Sequence, residues 1–326
     1  MPGIDNSDAA TGREHAEREQ LRGLVAARLR RFVSQVILGL LWMSVSAASD
    51  LLQIDGMIVS RSGDHGVPLI FIPGLASGGW AWQPVADHFA RDHVVYTVTL
   101  PGFAGNRRAG GKPLQTAEAC LTALIRRERL DHPVLIGHSL GGTLALSLAA
   151  RHSALIGGVV SLDGLPVFPG TEQVATDQRA EMARRFRASI PTDGAVFAQS
   201  QITYMASSNG VTDPTLAARL GKLAGTSDPV SVADYAVEAL TLDLRPELKA
   251  IKVPVLLIVP YNEADNKASA FAFTEQQKLS YYRSLMQGVS NASAVPVSPS
   301  RHFAMFDQPA QVERAIAAFL ATLRRP

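Results

Sequence analysis

Residues 134–142 read VLIGHSLGG, and this stretch decides the fold. A short apolar run leads into Gly-x-Ser-x-Gly with Ser139 at its centre, and residues 143–150 then read as a helix. A strand, a tight glycine turn and a helix in this order typically raise a serine above the edge of a sheet. Gly137 and Gly141 leave room for the turn, because a Cβ at either position would clash.

The predicted helix after this turn adds an electrostatic feature. The backbone N–H of Leu140 lies at the helix N-terminus, where unpaired N–H groups favour negative charge and could stabilise an oxyanion beside Ser139. A Gly-x-Ser-x-Gly match alone is a weak signal, since an ordinary turn with an idle serine gives the same letters. The buried strand before the match and the helix after it favour a nucleophile.

Composition narrows the classes of function. With 326 residues and 47% hydrophobic content, the chain can bury a large core, and one α/β domain with an insertion fits this length. The 31 basic and 29 acidic residues give a net charge of +2, which argues against a nucleic-acid binder. Cys120 is the only cysteine, so the sequence excludes an internal disulfide and a cysteine cluster for a metal.

The N-terminal residues 1–47 are predicted to be a leader outside the fold. A basic segment at 28–31 precedes an apolar run at 32–48 that ends in small residues. This is the order of a secretory signal peptide. We therefore expect export to the periplasm or the medium, a mature chain that starts near Ala48, and no stable membrane insertion after cleavage. An uncleaved membrane anchor is the alternative.

The rest of the chain alternates between predicted strands and helices. This rhythm is typical of a mostly parallel sheet with helices on both faces. It breaks after residue 164 and resumes with a buried strand at 253–259. The segment between carries helical patterns only, at 179–190, 193–206, 214–223 and 231–240. We predict an α/β core at 48–164 and 249–326, with a helical cap at 165–248 over the edge of the sheet where ligands bind.

A glycine-rich loop follows the buried strand at residues 68–72. It begins Pro73-Gly74-Leu75, and a glycine there lets the backbone approach a substrate closely. Its N–H groups are candidates for the second half of an oxyanion hole.

These segments resemble the α/β-hydrolase family, in its serine esterase and lipase branch. The resemblance runs from about Leu51 to the C-terminus. Four segments carry it: IPGL at 72–75, LPGF at 100–103, GHSLG at 137–141 and RHFAMFDQP at 301–309.

The resemblance implies a role for several residues. Ser139 matches the nucleophile and His302 the general base, and the N–H groups of Leu140 and Leu75 match the oxyanion donors. The family usually has His-Gly where this chain has Pro73-Gly74. Because backbone N–H groups form the oxyanion hole, we expect it to be retained.

The acid of the triad has three candidates. Most members of the family carry it just after the strand that resumes behind the cap, where this chain has Glu263 and Asp265. Other members carry it at the end of the strand that comes after the helix following Ser139. In this chain that position is Asp163. The acid must reach Nδ1 of His302, and the sequence leaves the choice open.

Substrate choice is expected to depend on the cap and on the residues around Ser139. Gly74, in the glycine-rich loop, and His138, next to Ser139 in sequence, are expected to contact the substrate. His138 is expected to shape the pocket rather than act as the base. Apolar side chains of the cap could contact an acyl group; they are Phe168, Met182, Phe186, Phe197, Tyr204 and Met205.

The sequence as a whole predicts a serine hydrolase that cleaves carboxylic esters of small to medium apolar acyl groups through an acyl-enzyme. This chemistry needs no metal or organic cofactor, and its partner is a small-molecule substrate. Because one fold supports many chemistries, a C–C hydrolase, lactonase, thioesterase or acyltransferase stays open, as does a non-catalytic binding protein.

Overall fold

A computed structural model describes residues 50–108, 110–268 and 272–323. In these ranges the strands are β1 (Asp50–Ile54), β2 (Met57–Ser62), β3 (Leu69–Ile72), β4 (Val95–Thr99), β5 (Val134–His138), β6 (Gly158–Leu162), β7 (Val255–Pro260) and β8 (Ala292–Val297). They form one eight-stranded sheet in the order β1-β2-β4-β3-β5-β6-β7-β8.

The sheet is parallel from β4 to β8. Only β1 with β2, and β2 with β4, pair antiparallel. Every residue of β3, β5, β6 and β7 is buried. Strands covered on both faces need continuous apolar runs, which is why these segments do not alternate in sequence. The predicted fold class, a mostly parallel sheet flanked by helices, is confirmed.

The helices of the described residues lie between the strands or, for the last two, after β8. They are α1 (Gln83–Phe89), α2 (Pro113–Arg127), α3 (Leu140–His152), α4 (Thr176–Ser189), α5 (Gly194–Ala206), α6 (Pro214–Ala224), α7 (Pro229–Thr241), α8 (Glu263–Ala268), α9 (Glu275–Leu285), α10 (Ala304–Asp307) and α11 (Pro309–Leu323). Helix α3 packs on β5 and β6, and α9 packs on β7 and β8.

Helices α4 to α7 interrupt the alternation between β6 and β7, which confirms the predicted helical insertion. Aspartate caps explain where three of them begin. The side chains of Asp193, Asp213 and Asp228 accept hydrogen bonds from backbone N–H groups in the first turns of α5, α6 and α7. Such caps satisfy donors that have no partner within the helix. The boundaries of the cap at 165 and 248 stay predictions.

The order of the strands reverses direction at β3. The chain passes from β3 to β4 on one side and then returns to place β5 on the other. Ligands of open parallel sheets bind where the strand order reverses, beyond the carboxyl ends of the strands. The loops that follow β3, β5 and β6 therefore meet at one edge of the sheet.

The localisation inferred from the leader needs correction. The apolar run at residues 32–48, on which the prediction of export depends, lies outside the described residues. Among the helices that the structure does describe, none is both long and apolar enough to cross a bilayer. Neither export nor its alternative, a membrane anchor, has support, and we withdraw both.

Candidate active site

The turn between β5 and α3 depends on close backbone packing. Ser139 has φ +51° and ψ −120°, a conformation that side-chain-bearing residues rarely adopt. A Cβ on Gly137 would lie 2.2 Å from the carbonyl oxygen of Gly141. A Cβ on Gly141 would lie 2.3 Å from the carbonyl oxygen of Ile72, in β3. Only glycines allow the helix to start this close to two strand ends.

The backbone beside Ser139 carries both predicted oxyanion donors. Leu140 is the first residue of α3, so its N–H has no acceptor within the helix. Leu140 and Leu75 both line the cavity that contains Ser139. Gly74 brings the β3 loop against this turn, because a Cβ there would lie 3.2 Å from Cβ of Ser139.

Asp163 and His302 form a partly buried pair at the carboxyl edge of the sheet. Nδ1 of His302 donates a hydrogen bond to Oδ2 of Asp163, and the two side chains are 19% and 11% exposed. Burial by itself would raise the pKa of the Asp163 carboxyl, but the charge and the hydrogen bond of His302 outweigh it, so the pKa lies well below its usual range. The carboxylate is therefore ionised and faces the imidazole.

The other two candidate acids face different partners. Asp265 forms a bidentate ion pair with Arg301, with oxygen–nitrogen distances of 2.8 and 3.1 Å. Glu263 pairs with Lys267 at 2.7 Å and is 67% exposed. Of the three acids that the sequence leaves open, the structure brings only Asp163 to His302.

Arg301 holds the loop that carries His302. Besides Asp265, its guanidinium contacts the carbonyl oxygen of Val211 in the cap at 2.9 Å. Its backbone N–H donates to Asp307 at 2.8 Å, and Asp307 also accepts from Thr212 of the cap. The loop is therefore tied both to the core and to the helical insertion.

His138 is fully buried beneath His302. Its Nε2 lies 3.0 Å from the backbone oxygen of His302, so this nitrogen carries a proton and donates it. Burial lowers the pKa of His138 well below its usual range, and the nearby His302 lowers it further. The ring also packs against Phe303, with centroids 4.5 Å apart. A neutral, buried histidine of this kind positions the backbone of His302. That His138 shapes the pocket rather than acting as the base stays a prediction.

Ser139, Asp163 and His302 all open onto one cavity of about 800 Å³. Within the described part of the chain, no hydrogen bond joins the side chains of Ser139 and His302. Such bonds are often long before a substrate binds. The three side chains come from the ends of β5 and β6 and from the loop after β8, so the site is built where the topology predicts it.

The cap supplies much of the cavity wall. Of the apolar cap residues singled out in the sequence, Phe168, Phe186, Phe197 and Tyr204 line the cavity, whereas Met182 and Met205 do not. Phe168 and Phe186 remain 47% and 43% exposed, as expected for side chains at an opening. The small side chains of Ala236 and Ala239 in α7 widen the cavity on another side.

Sequence reasoning missed two residues of α9. The phenol of Tyr282 donates a hydrogen bond to Oδ1 of Asp163, and Lys278 lies in the same wall of the cavity. Nothing in the sequence singles them out, because both fit the pattern of an ordinary helix. Their position at the site follows only from the packing of α9 against β7 and β8.

Comparisons with known proteins agree with this architecture. A model of the α/β hydrolase family matches residues 69–315. The 2-succinyl-6-hydroxy-2,4-cyclohexadiene-1-carboxylate synthase of Escherichia coli O1:K1 is 31% identical over 201 residues, which span 60% of this chain and 77% of the synthase.

Solved structures share the fold at lower sequence identity. The enol-lactonase of Burkholderia xenovorans LB400 is 19% identical, with a TM-score of 0.65 over 83% of this chain and 100% of its own. A thermophilic esterase of Thermogutta terrifontis is 18% identical, with a TM-score of 0.66 over 85% of this chain and 100% of its own. The family model covers well over half of the sequence, and the sheet, the turn at Ser139 and the cap agree with it: the chain belongs to the α/β hydrolase family.

Proposed function

We propose that this protein is a serine hydrolase that cleaves carboxylic esters of small to medium apolar acyl groups. The observation that carries the proposal is the partly buried Asp163–His302 pair, which opens onto the same apolar cavity as Ser139. A serine hydroxyl is a poor nucleophile unless a base takes its proton. An imidazole whose Nδ1 is held by an ionised carboxylate is such a base.

The proposed reaction has two halves, acylation and deacylation, and the same groups act in both. Nε2 of His302 takes the proton of Ser139 Oγ while Oγ attacks the ester carbonyl, and the N–H groups of Leu140 and Leu75 stabilise the oxyanion. The imidazolium, stabilised by Asp163, then gives its proton to the leaving alcohol. Water hydrolyses the acyl-enzyme through the same proton transfers and restores the serine.

The electrostatics support Asp163 as the acid of this triad. Its carboxylate is desolvated, and the imidazole is one of the groups that compensate its charge. Asp265 already has a bidentate arginine partner, which is a strong geometry for a carboxylate. To replace Asp163, Asp265 would have to leave that partner while Arg301 stayed partly buried, which costs free energy.

The cavity wall supports an uncharged, apolar substrate. Aliphatic and aromatic side chains dominate it, and its volume lies in the range that encloses small organic ligands. Among the described residues that line it, Lys278 is the only lysine or arginine, and its Nζ already donates to the carbonyl oxygen of Pro260 at 2.7 Å. The synthase relatives are named for a compound with a succinyl and a carboxylate group. A compound of that charge would find few partners here.

The first prediction concerns the nucleophile. We expect the full-length protein to hydrolyse p-nitrophenyl butyrate and octanoate, and Ser139→Ala to lower kcat by at least about 10⁴-fold, because no other group forms the acyl-enzyme. The release of p-nitrophenol is the measurement. Ser284→Ala, at an exposed serine of α9, is the matched control and should retain wild-type rates.

Turnover that survives in the Ser139→Ala variant would overturn the serine mechanism. A folded wild type that hydrolyses none of these esters, and whose Ser139 does not react with an organophosphate, would instead favour a binding protein.

The second prediction separates the candidate acids. Asp163→Asn should lower kcat by about 10³- to 10⁴-fold, because an amide cannot hold the imidazole tautomer or stabilise the imidazolium. Asp265→Asn should lower kcat by less than about tenfold, since it loosens the His302 loop only through Arg301. Steady-state kinetics of the two variants side by side give the comparison. The reverse ranking would reassign the acid to Asp265.

The third prediction concerns the acyl pocket. Ala236 is 3% exposed and lines the cavity from α7, so Ala236→Phe should fill part of the space used by longer chains. We expect kcat/KM for p-nitrophenyl octanoate to fall by about tenfold or more, while kcat/KM for p-nitrophenyl acetate, a short ester, changes by less than about threefold. Ala318→Phe, on the exposed face of α11, controls for the added ring. An equal loss for both esters would contradict an acyl chain at this wall.

A further inference from the structure

We propose that Tyr282 is a positioning residue: its phenol holds the second oxygen of Asp163 and thereby sets the pH at which His302 accepts a proton. The inference rests on the proposed function, since it concerns the acid of that triad. It assigns a role to a residue of α9 that lies in a different element from Ser139, Asp163 and His302 and shares no motif with them.

The two oxygens of Asp163 have separate donors. The phenol of Tyr282 donates to Oδ1, and Nδ1 of His302 donates to Oδ2. Asp163 itself has φ +53°, and its backbone N–H donates to the carbonyl oxygen of Ile258 at 3.0 Å. With both oxygens and the backbone held, the carboxylate has one orientation, the one that faces the imidazole.

Tyr282 is a donor at any working pH. It is 6% exposed, and burial raises the pKa of its phenol well above the usual value, as does the charge of Asp163. Its ring is fixed from two sides, edge-on by Tyr281 at 6.0 Å between centroids and by Nζ of Lys278 at 5.7 Å from its centroid. The hydroxyl therefore cannot turn away without displacing packed neighbours.

Other charged and titratable groups also surround Asp163. Lys278 of α9 adds a positive charge that lowers the pKa of the carboxyl. From α5, Tyr204 faces it with a phenol whose pKa desolvation and Asp163 raise to about 12. From β5, His138 stays neutral because burial lowers its pKa. Neither Tyr204 nor His138 changes charge near neutral pH, so an effect of Tyr282 in that range acts on the Asp163–His302 pair.

The expected sign follows from the charge on the carboxylate. A hydrogen bond from Tyr282 disperses the negative charge of Asp163 and weakens its attraction for an imidazolium. Without the phenol, the carboxylate attracts the imidazolium more strongly, so His302 stays protonated to higher pH. Because the mechanism needs the neutral imidazole, the acid limb of the plot of kcat/KM against pH should move to higher pH when the phenol is removed. The freed carboxylate also orients the ring less well, which should lower kcat.

The test is Tyr282→Phe in the full-length protein, which removes the hydroxyl and keeps the ring. We expect kcat for p-nitrophenyl butyrate to fall by about 5- to 20-fold with little change in KM, and the acid limb to rise by about half a pH unit or more. Tyr235→Phe is the matched control. Tyr235 is also buried, but its ring packs against Phe103 away from the triad. The acid limb of the pH profile should therefore stay in place in Tyr235→Phe.

A second set of variants asks whether Tyr282 acts through Asp163. In an Asp163→Asn background, the further change Tyr282→Phe should have almost no effect on kcat, because the charge that it modulates is gone. Equal losses in both backgrounds would mean that Tyr282 only supports the packing, and an acid limb that does not move in Tyr282→Phe would likewise overturn the proposal.

Failure of the proposed function is distinguishable from failure of this inference. If the wild type hydrolyses no ester, the proposed function is wrong. The role of Tyr282 is then tested by an NMR titration of the His302 ring, compared between wild type and Tyr282→Phe. A midpoint at higher pH in the variant supports the inference, and an unchanged midpoint refutes it. Should Tyr282→Phe fail to fold, 3-fluorotyrosine in the wild type makes a stronger donor and must move the midpoint the opposite way.

Discussion

The hydrogen bond between His302 and Asp163 joins two strands that are not neighbours. Asp163 follows β6 and His302 follows β8, and β7 lies between them in the sheet. The bond therefore exists only if the loop after β8 crosses the end of β7 and stays there. His138 fixes the backbone of His302 from below, and Asp307 fixes that of Arg301 beside it. A buried charge is tolerated only when it is paired, so any loosening of this loop would also destabilise Asp163.

The turn at Ser139 could be predicted because its causes are local. Gly137 and Gly141 are close in sequence, and both are required by contacts of the backbone within the turn and with β3. The buried strands were equally predictable, since a strand covered on both faces must be apolar throughout. The cap helices were found because helical patterns recur along the insertion, whereas their Asp213 and Asp228 caps were recognised only in the structure.

The acid could not be chosen from the sequence, because the choice depends on which partner each carboxylate meets in three dimensions. Asp265 lies at one of the positions that the family resemblance implies for the acid, yet Arg301, the residue next to His302, pairs with it instead. Tyr282 gave no signal at all, since a tyrosine on a packed helix is usually core. The apolar run at residues 32–48 is the reverse case. Here the local sequence pattern was strong, but the localisation inferred from it has no other support.

The site gives the family's general chemistry a particular setting. Two donors hold the Asp163 carboxylate, the neutral His138 contacts the backbone of His302, and the cavity beside them is largely apolar, with Lys278 as the one lysine among the described residues that line it. The central claim is that His302 and Asp163 make Ser139 nucleophilic. The most direct measurement is the site and rate of reaction with diethyl p-nitrophenyl phosphate, followed by mass spectrometry of the intact protein and its peptides. The account predicts one adduct on Ser139, formed in step with the loss of ester hydrolysis and absent over the same time in His302→Ala. An adduct on another residue, or none while hydrolysis continues, would contradict it.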